Sequence, residues 1–249
     1  MRVCIGNWKM NGDKETVHRM SQVLNNIQGS ISTVKVVVCV PYTLLYEARR
    51  EFNSVFEIGA QCICPYAEKG SYTGGIGPYQ IKDAGVNTIL IGHSEREKYF
   101  HETEEEIRDQ LKIAIKNRLN IILCVGEYEK DGSTEETSQI IRNRLDIIKT
   151  LEINSSVIIA YEPVWAIGTG DVPSAERIQS TVNIIHNEVG GKIEGILYGG
   201  SVTKDSVQNL LCIKNLSGFL IGNASLTEEF ASICEILSKN EQNGQIKEE

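Results

Sequence analysis

Apolar residues along the chain gather into eight short runs, and segments with helical periodicity fill the gaps between them. The runs occupy residues 3–5, 34–40, 56–60, 88–91, 121–125, 157–160, 193–198 and 219–221. Most are continuous rather than alternating and rich in β-branched residues, the pattern of strands buried on both faces in a parallel sheet. The third and seventh are weaker as strands, because Gly59 and Gly195 interrupt them. Between the runs, Val17, Met20, Leu24 and Ile27 share one helical face. So do Ile107, Leu111 and Ile115; Ile141, Leu145 and Ile148; and Ile178, Val182, Ile185 and Val189. Thr103 with Glu106, and Ser133 with Glu136, fit the capping box that opens a helix. Glu104 and Glu105 put negative charge where a helix dipole favours it, so residues 102–106 read as a helix start and solvated face.

Strand and helix alternate to the end of this pattern without a linker or a shift in composition. That predicts a single-domain α/β protein, a (β/α)8 barrel over residues 1–238. A doubly wound open sheet is the alternative, but the GxGxxG turn usual in its dinucleotide-binding form is missing. Residues 239–249 are polar and lack apolar periodicity, and a disordered tail is expected there. A net charge of −8 argues against nucleic acid or an anionic membrane as partner. No run approaches a membrane span, and the N-terminus has no signal-peptide organisation. Seven cysteines at irregular spacing suit a reducing, cytoplasmic setting. Cys62 and Cys64 lack a second pair or a histidine at ligand spacing, so no metal site is expected.

In such a barrel, chemistry belongs at the C-terminal ends of the strands. The sixth run stops at Glu162, and Pro163 keeps the chain out of a helix there. Val164, Trp165, Ala166 and Ile167 are too apolar for an ordinary solvated loop, and Thr169 lies between Gly168 and Gly170, which leave room for an anion. The stretch reads as a carboxylate beside an apolar lid, or, on its own, as a strand-end glutamate beside a packed tryptophan. Asn7 and Lys9 follow the first run, where an ammonium can stabilise an oxyanion or hold a phosphate. His93 follows the fourth run at a helix start, where the dipole favours a neutral ring. Cys124 reads as a small buried residue; Glu127 is placed to position Lys9 or a neighbouring strand end. Glycine-rich ends after the seventh and eighth runs, at 198–202 and 221–226, match the barrel's recurrent phosphate site.

The motifs GNWKMN, IGHSERE, CVGE, AYEPVWAIGTG, YGGSV and IGNASL occur in the order and spacing of the triosephosphate isomerase family, which this chain resembles from about residue 2 to 236. The resemblance implies a TIM barrel that isomerises dihydroxyacetone phosphate and D-glyceraldehyde 3-phosphate through an enediolate, without metal or cofactor. It implies Glu162 as base, His93 as neutral electrophile and Lys9 as electrostatic stabiliser, with Asn7 and Glu95 in support. Phosphate would lie on backbone N–H groups around Gly168, Ser201, Gly222 and Asn223. The lid would run from Pro163 to Pro173, held closed by Tyr198 and Ser201. A homodimer is implied, with a loop carrying Tyr72, Thr73 and Gly74 inserted into the partner.

The chain departs from the family pattern at several positions. Gly75 replaces a glutamate, which should remove an inter-subunit ion pair to Arg96, and Cys62 replaces an asparagine. Asn223 replaces a glycine, Ser206 an asparagine and Ser217 an aspartate. Thiol reagents at Cys62 or Cys64 are expected to loosen the dimer. A Schiff-base aldolase using Lys9 and a non-catalytic binding barrel are the competing functional readings.

Overall fold

The structure, a computed structural model, describes residues 1–130, 132–167, 169 and 172–245. Eight parallel strands close a barrel in chain order. They are β1 (Arg2–Asn7), β2 (Val34–Cys39), β3 (Glu57–Ala60), β4 (Thr88–Ile91), β5 (Asn120–Val125), β6 (Val157–Tyr161), β7 (Gly195–Tyr198) and β8 (Gly218–Ile221). Each agrees with one of the eight apolar runs to within a few residues. The helices around them are α1 (Lys14–Ile27), α2 (Leu45–Glu51), α3 (Pro78–Asp83), α4 (Ser94–Phe100) and α5 (Glu104–Lys116). They continue with α6 (Thr134–Thr150), α7 (Ala175–Val189), α8 (Lys204–Leu210) and α9 (Glu228–Gln245). No helix among the described residues is long and apolar enough to cross a membrane.

The strands' period of two sorts their side chains into two cores. Inside the barrel lie Val3, Ile5, Val37, Cys39, Leu90, Ile122, Cys124, Ile158, Ala160, Leu197 and Leu220. The alternate residues point outward and meet the apolar faces of the helices, including Val17, Met20 and Leu24 of α1 and Ile178, Val182 and Ile185 of α7. Along β2, β5 and β6 the inner residue nearer the strand's C-terminal end is small: Cys39, Cys124 and Ala160.

Gly59 and Gly195 do not break their strands. A Cβ on either would stand 2.6 Å from Cys39 Sγ or Ser217 Oγ, so close packing requires the missing side chain. Both predicted capping boxes form, at Thr103–Glu106 and Ser133–Glu136.

Two expectations are corrected. Residues 239–245, expected in a disordered tail, lie in α9, where Asn240 accepts a hydrogen bond from Arg2 at 2.9 Å and Glu241 pairs with the Met1 amino group at 3.2 Å. Residues 246–249 lie outside the described residues. Glu102 is not part of a solvated face. It is buried and pairs with Arg96 at 3.3 Å.

Candidate active site

Glu162 follows β6 directly, and its backbone N–H donates to the Val125 carbonyl at 2.8 Å. Two residues on, the Val164 N–H donates to the Glu127 carbonyl at 2.9 Å. These bonds hold the chain to the end of β5, so the Glu162 carboxylate turns into the barrel mouth, where it is 3% exposed. Pro163 then opens a single 3-10 turn, Val164–Ala166.

His93 caps α4. Gly92 before it adopts φ +71°, a turn that a side chain would strain, and this turn brings the ring inward to 5% exposure. His93 Nδ1 accepts the Glu95 backbone N–H at 3.1 Å, so Nδ1 carries a lone pair and Nε2 carries the proton. Nε2 lies 3.2 Å from Glu162 Oε1. Burial pulls the ring's pKa down, but the Glu162 and Glu95 carboxylates outweigh it and the net direction is upward. The helix N–H on Nδ1 opposes that tendency, because only the neutral ring can accept it. Glu162 Oε2 faces the Ser94 N–H at 3.5 Å.

Lys9 sits beyond the end of β1 at φ 55°, an unusual backbone for a residue with a side chain. Asn7 Oδ1 accepts its N–H at 3.0 Å, and Gln61 donates to its carbonyl at 2.9 Å. The ammonium reaches Glu95 Oε1 at 2.6 Å. Asn7, Lys9, His93 and Glu162 line one cavity of about 280 Å³, which continues past Ile167 to Ser201, Gly222 and Asn223. Asn223 is exposed at the rim rather than filling the cavity. Glu229 also borders it, but its carboxylate accepts the Lys204 N–H at 3.0 Å at the start of α8. Gly168 and Gly170 lie outside the described residues.

Of the two roles expected for Glu127, it takes the neighbouring strand end rather than Lys9. It is buried, and its Oε1 accepts from Tyr161 Oη at 3.1 Å, Trp165 Nε1 at 3.0 Å and Arg177 Nη2 at 3.1 Å. Tyr198 ends β7 with its hydroxyl buried and unpartnered among the described residues. Tyr72, Thr73 and Gly74 form an exposed loop tip, braced by Tyr72 stacking on Tyr66 with ring centroids 5.8 Å apart. Gln61 and Arg177 escaped the sequence reading. Gln61 stands in the GAQC end of the third run, where a strand-end position was the available signal; Arg177 lies on a helix with no local signature.

A carboxylate and an imidazole in contact, with an ammonium nearby and glycine-rich backbone at the far end, define a barrel enzyme of general acid–base chemistry on a small anionic substrate. The family model for triosephosphate isomerase matches residues 2–237. The chain is 39% identical over 236 residues to a triosephosphate isomerase of Wolbachia sp. subsp. Brugia malayi (strain TRS), covering 94% of this chain and 97% of that one. It is 39% identical to that of Wolbachia pipientis wMel, covering 94% and 93%, and 36% identical to that of Alkaliphilus metalliredigens (strain QYMF), covering 90% and 94%. The chain belongs to the triosephosphate isomerase family. It is an isomerase of glycolysis, and its reaction interconverts dihydroxyacetone phosphate and D-glyceraldehyde 3-phosphate.

Proposed function

We propose that Glu162, His93 and Lys9 divide the isomerisation among them, a reading carried by the buried 3.2 Å contact between Glu162 and His93 in the cavity that Lys9 also lines. Glu162 removes a proton from C1 of dihydroxyacetone phosphate. The C1–H electrons form a C1–C2 double bond, and the C2 carbonyl electrons move onto oxygen. His93, with its proton on Nε2, donates to that oxygen and carries a proton between O2 and O1. Glu162 then returns its proton to C2, and O1 becomes the aldehyde oxygen. Lys9 supplies positive charge where the oxyanion develops, in a site that largely excludes water. Glu95 holds the ammonium, and Asn7 fixes the backbone that carries it.

The phosphate is assigned to backbone N–H groups around Ser201, Gly222 and Asn223, to which the family resemblance adds Gly168. Glu229 occupies the Lys204 N–H, which leaves the substrate to the other donors. Pro163 to Ile167, Thr169 and Gly170 are read as the lid, with the buried, unpartnered Tyr198 hydroxyl ready to engage it on closure. Closure excludes water and holds the enediolate in a geometry that disfavours phosphate loss.

A second copy of the chain is proposed as partner. Beside the catalytic cavity lies a groove of about 220 Å³ lined by Lys9, Met10, Tyr42, Cys62, Glu95 and Phe100, among others, and Met10 is 94% exposed at its edge. The Tyr72–Gly74 tip has the projection to enter such a groove. Arg96, deprived of a partner by Gly75, pairs within its own chain with Glu102. Seven free thiols suit the cytoplasm.

The roles are tested by running the reaction in D2O. Wild type should place deuterium on carbon during turnover, and Glu162→Gln should lose exchange and isomerisation alike. Exchange that persists in Glu162→Gln contradicts the assignment. Borohydride with substrate separates the aldolase alternative, which alone would label Lys9 covalently.

A further inference from the structure

Arg177 stands at the third position of α7, just beyond the C-terminal end of the proposed lid, yet its side chain grips the lid's other end. Its guanidinium carbon lies 4.9 Å from the centroid of the Trp165 ring. Its Nη2 donates to Glu127 Oε1 at 3.1 Å, the oxygen that also accepts Trp165 Nε1. It donates as well to the carbonyls of Lys130 and Glu129 in the segment after β5. Lys130 adds a second cation over the same ring, 5.4 Å from its centroid. Among the described residues, Arg177 is the cation paired with the buried Glu127 carboxylate. A planar guanidinium can stack on an aromatic face and donate in its own plane at once, which an ammonium cannot.

We infer that Arg177 is a positioning residue that ties both ends of the lid to the segment after β5 and so sets how firmly the lid closes over the enediolate. The inference rests on reading residues 163–173 as a lid. Without Arg177, Glu127 becomes a buried carboxylate without its cation, and Trp165 loses both the stack and a firmly held acceptor. The Trp165 turn lies three residues from Glu162, so slack there reaches the base and the closure together.

Loose closure has a chemical signature. In the enediolate the O1 electrons can form the C1 carbonyl, shift the double bond to C2–C3 and break the C3–O bond to phosphate. The products are inorganic phosphate and 2-hydroxypropenal, which tautomerises to methylglyoxal. No outside reactant is needed, so methylglyoxal formed per isomerisation measures escape from the closed state.

The experiment compares wild type, Arg177→Gln and Arg177→Lys in methylglyoxal yield per turnover, and in the change of Trp165 emission on adding 2-phosphoglycolate. That ligand's carboxylate imitates the enediolate oxygens. Trp165→Phe identifies the signal, because Trp8 is the other tryptophan and is buried. Arg177→Gln should lower kcat roughly tenfold, raise methylglyoxal per turnover several-fold and shrink the emission change, with Arg177→Lys between it and wild type. A fall in melting temperature with yield and emission response unchanged would reduce Arg177 to a structural residue and overturn the inference alone. No emission change in wild type at saturating ligand would overturn the lid reading and the inference with it.

Discussion

Lys9 shows most clearly how a single residue is held for chemistry. Its φ of 55° costs about 1 kcal/mol relative to an ordinary backbone. Asn7 and Gln61 fix that conformation, and it points the ammonium at Glu95 rather than at solvent. Glycine would relieve the strain. Lys9→Gly should therefore unfold no earlier than wild type while losing nearly all activity; thermal melts with assays on the same samples decide this. The acid limb of activity is set by His93, and Glu95 helps to place it. Burial lowers the His93 pKa, and the two carboxylates raise it further than burial lowers it. A raised histidine stabilises the fold below its unfolded pKa, and the contribution fades as pH rises through the folded value. Activity runs the opposite way, because the neutral ring is the working form. Glu95→Gln removes one carboxylate and leaves Lys9 uncompensated; both lower the His93 pKa. The acid limb of kcat/KM should move to lower pH, and a move upward would refute the assignment. Lys9, His93 and Glu162 were legible because each stands at the end of an apolar run. The partners of Glu127 were not, since its contact to Arg177 spans 50 residues and depends on how α7 packs.

At the scale of elements, the apolar runs and helical faces carried most of the fold into view. Strands buried on both sides leave continuous apolar runs, and the capping boxes at Thr103 and Ser133 mark two helix starts. Contacts distant in sequence stayed hidden. The last turns of α9 meet Met1 and Arg2, more than two hundred residues away. Glu102 stayed hidden for another reason: its partner Arg96 is only six residues back, but the pairing depends on how the chain turns after α4. The lid offers a test of function separate from stability. Tyr198 buries a hydroxyl that pairs with nothing among the described residues, so removing it deletes no hydrogen bond to any of them. Tyr198→Phe should melt within a few degrees of wild type yet lose kcat/KM. An unchanged kcat/KM would remove Tyr198 from the lid.

At the scale of the whole molecule, the exposed Tyr72–Gly74 tip and the groove beside Lys9 make the proposed dimer relevant to activity. Activity per chain should fall on dilution in step with dissociation measured by sedimentation; constant activity in a demonstrated monomer would separate the two. The thiols refine the expected sensitivity to reagents. Burial pushes the Cys62 thiol up, and its Sγ lies 2.9 Å from Tyr42 Oη, whereas Cys212 is exposed. Labelling should reach Cys212 first without loss of activity, and inhibition should follow the slower labelling of Cys62.

The central claim is that β6 and its backbone bonds to β5 aim the Glu162 carboxylate at the substrate carbon. The most direct test is the rate of isomerisation of D-glyceraldehyde 3-phosphate by wild type and Glu162→Asp at one protein concentration. One methylene moves the carboxylate by about 1 Å, and misplacement of that size costs roughly a hundredfold in rate. A fast wild type beside a folded Glu162→Asp slowed by about that factor is the predicted result. A folded Glu162→Asp that keeps the wild-type rate would contradict the claim.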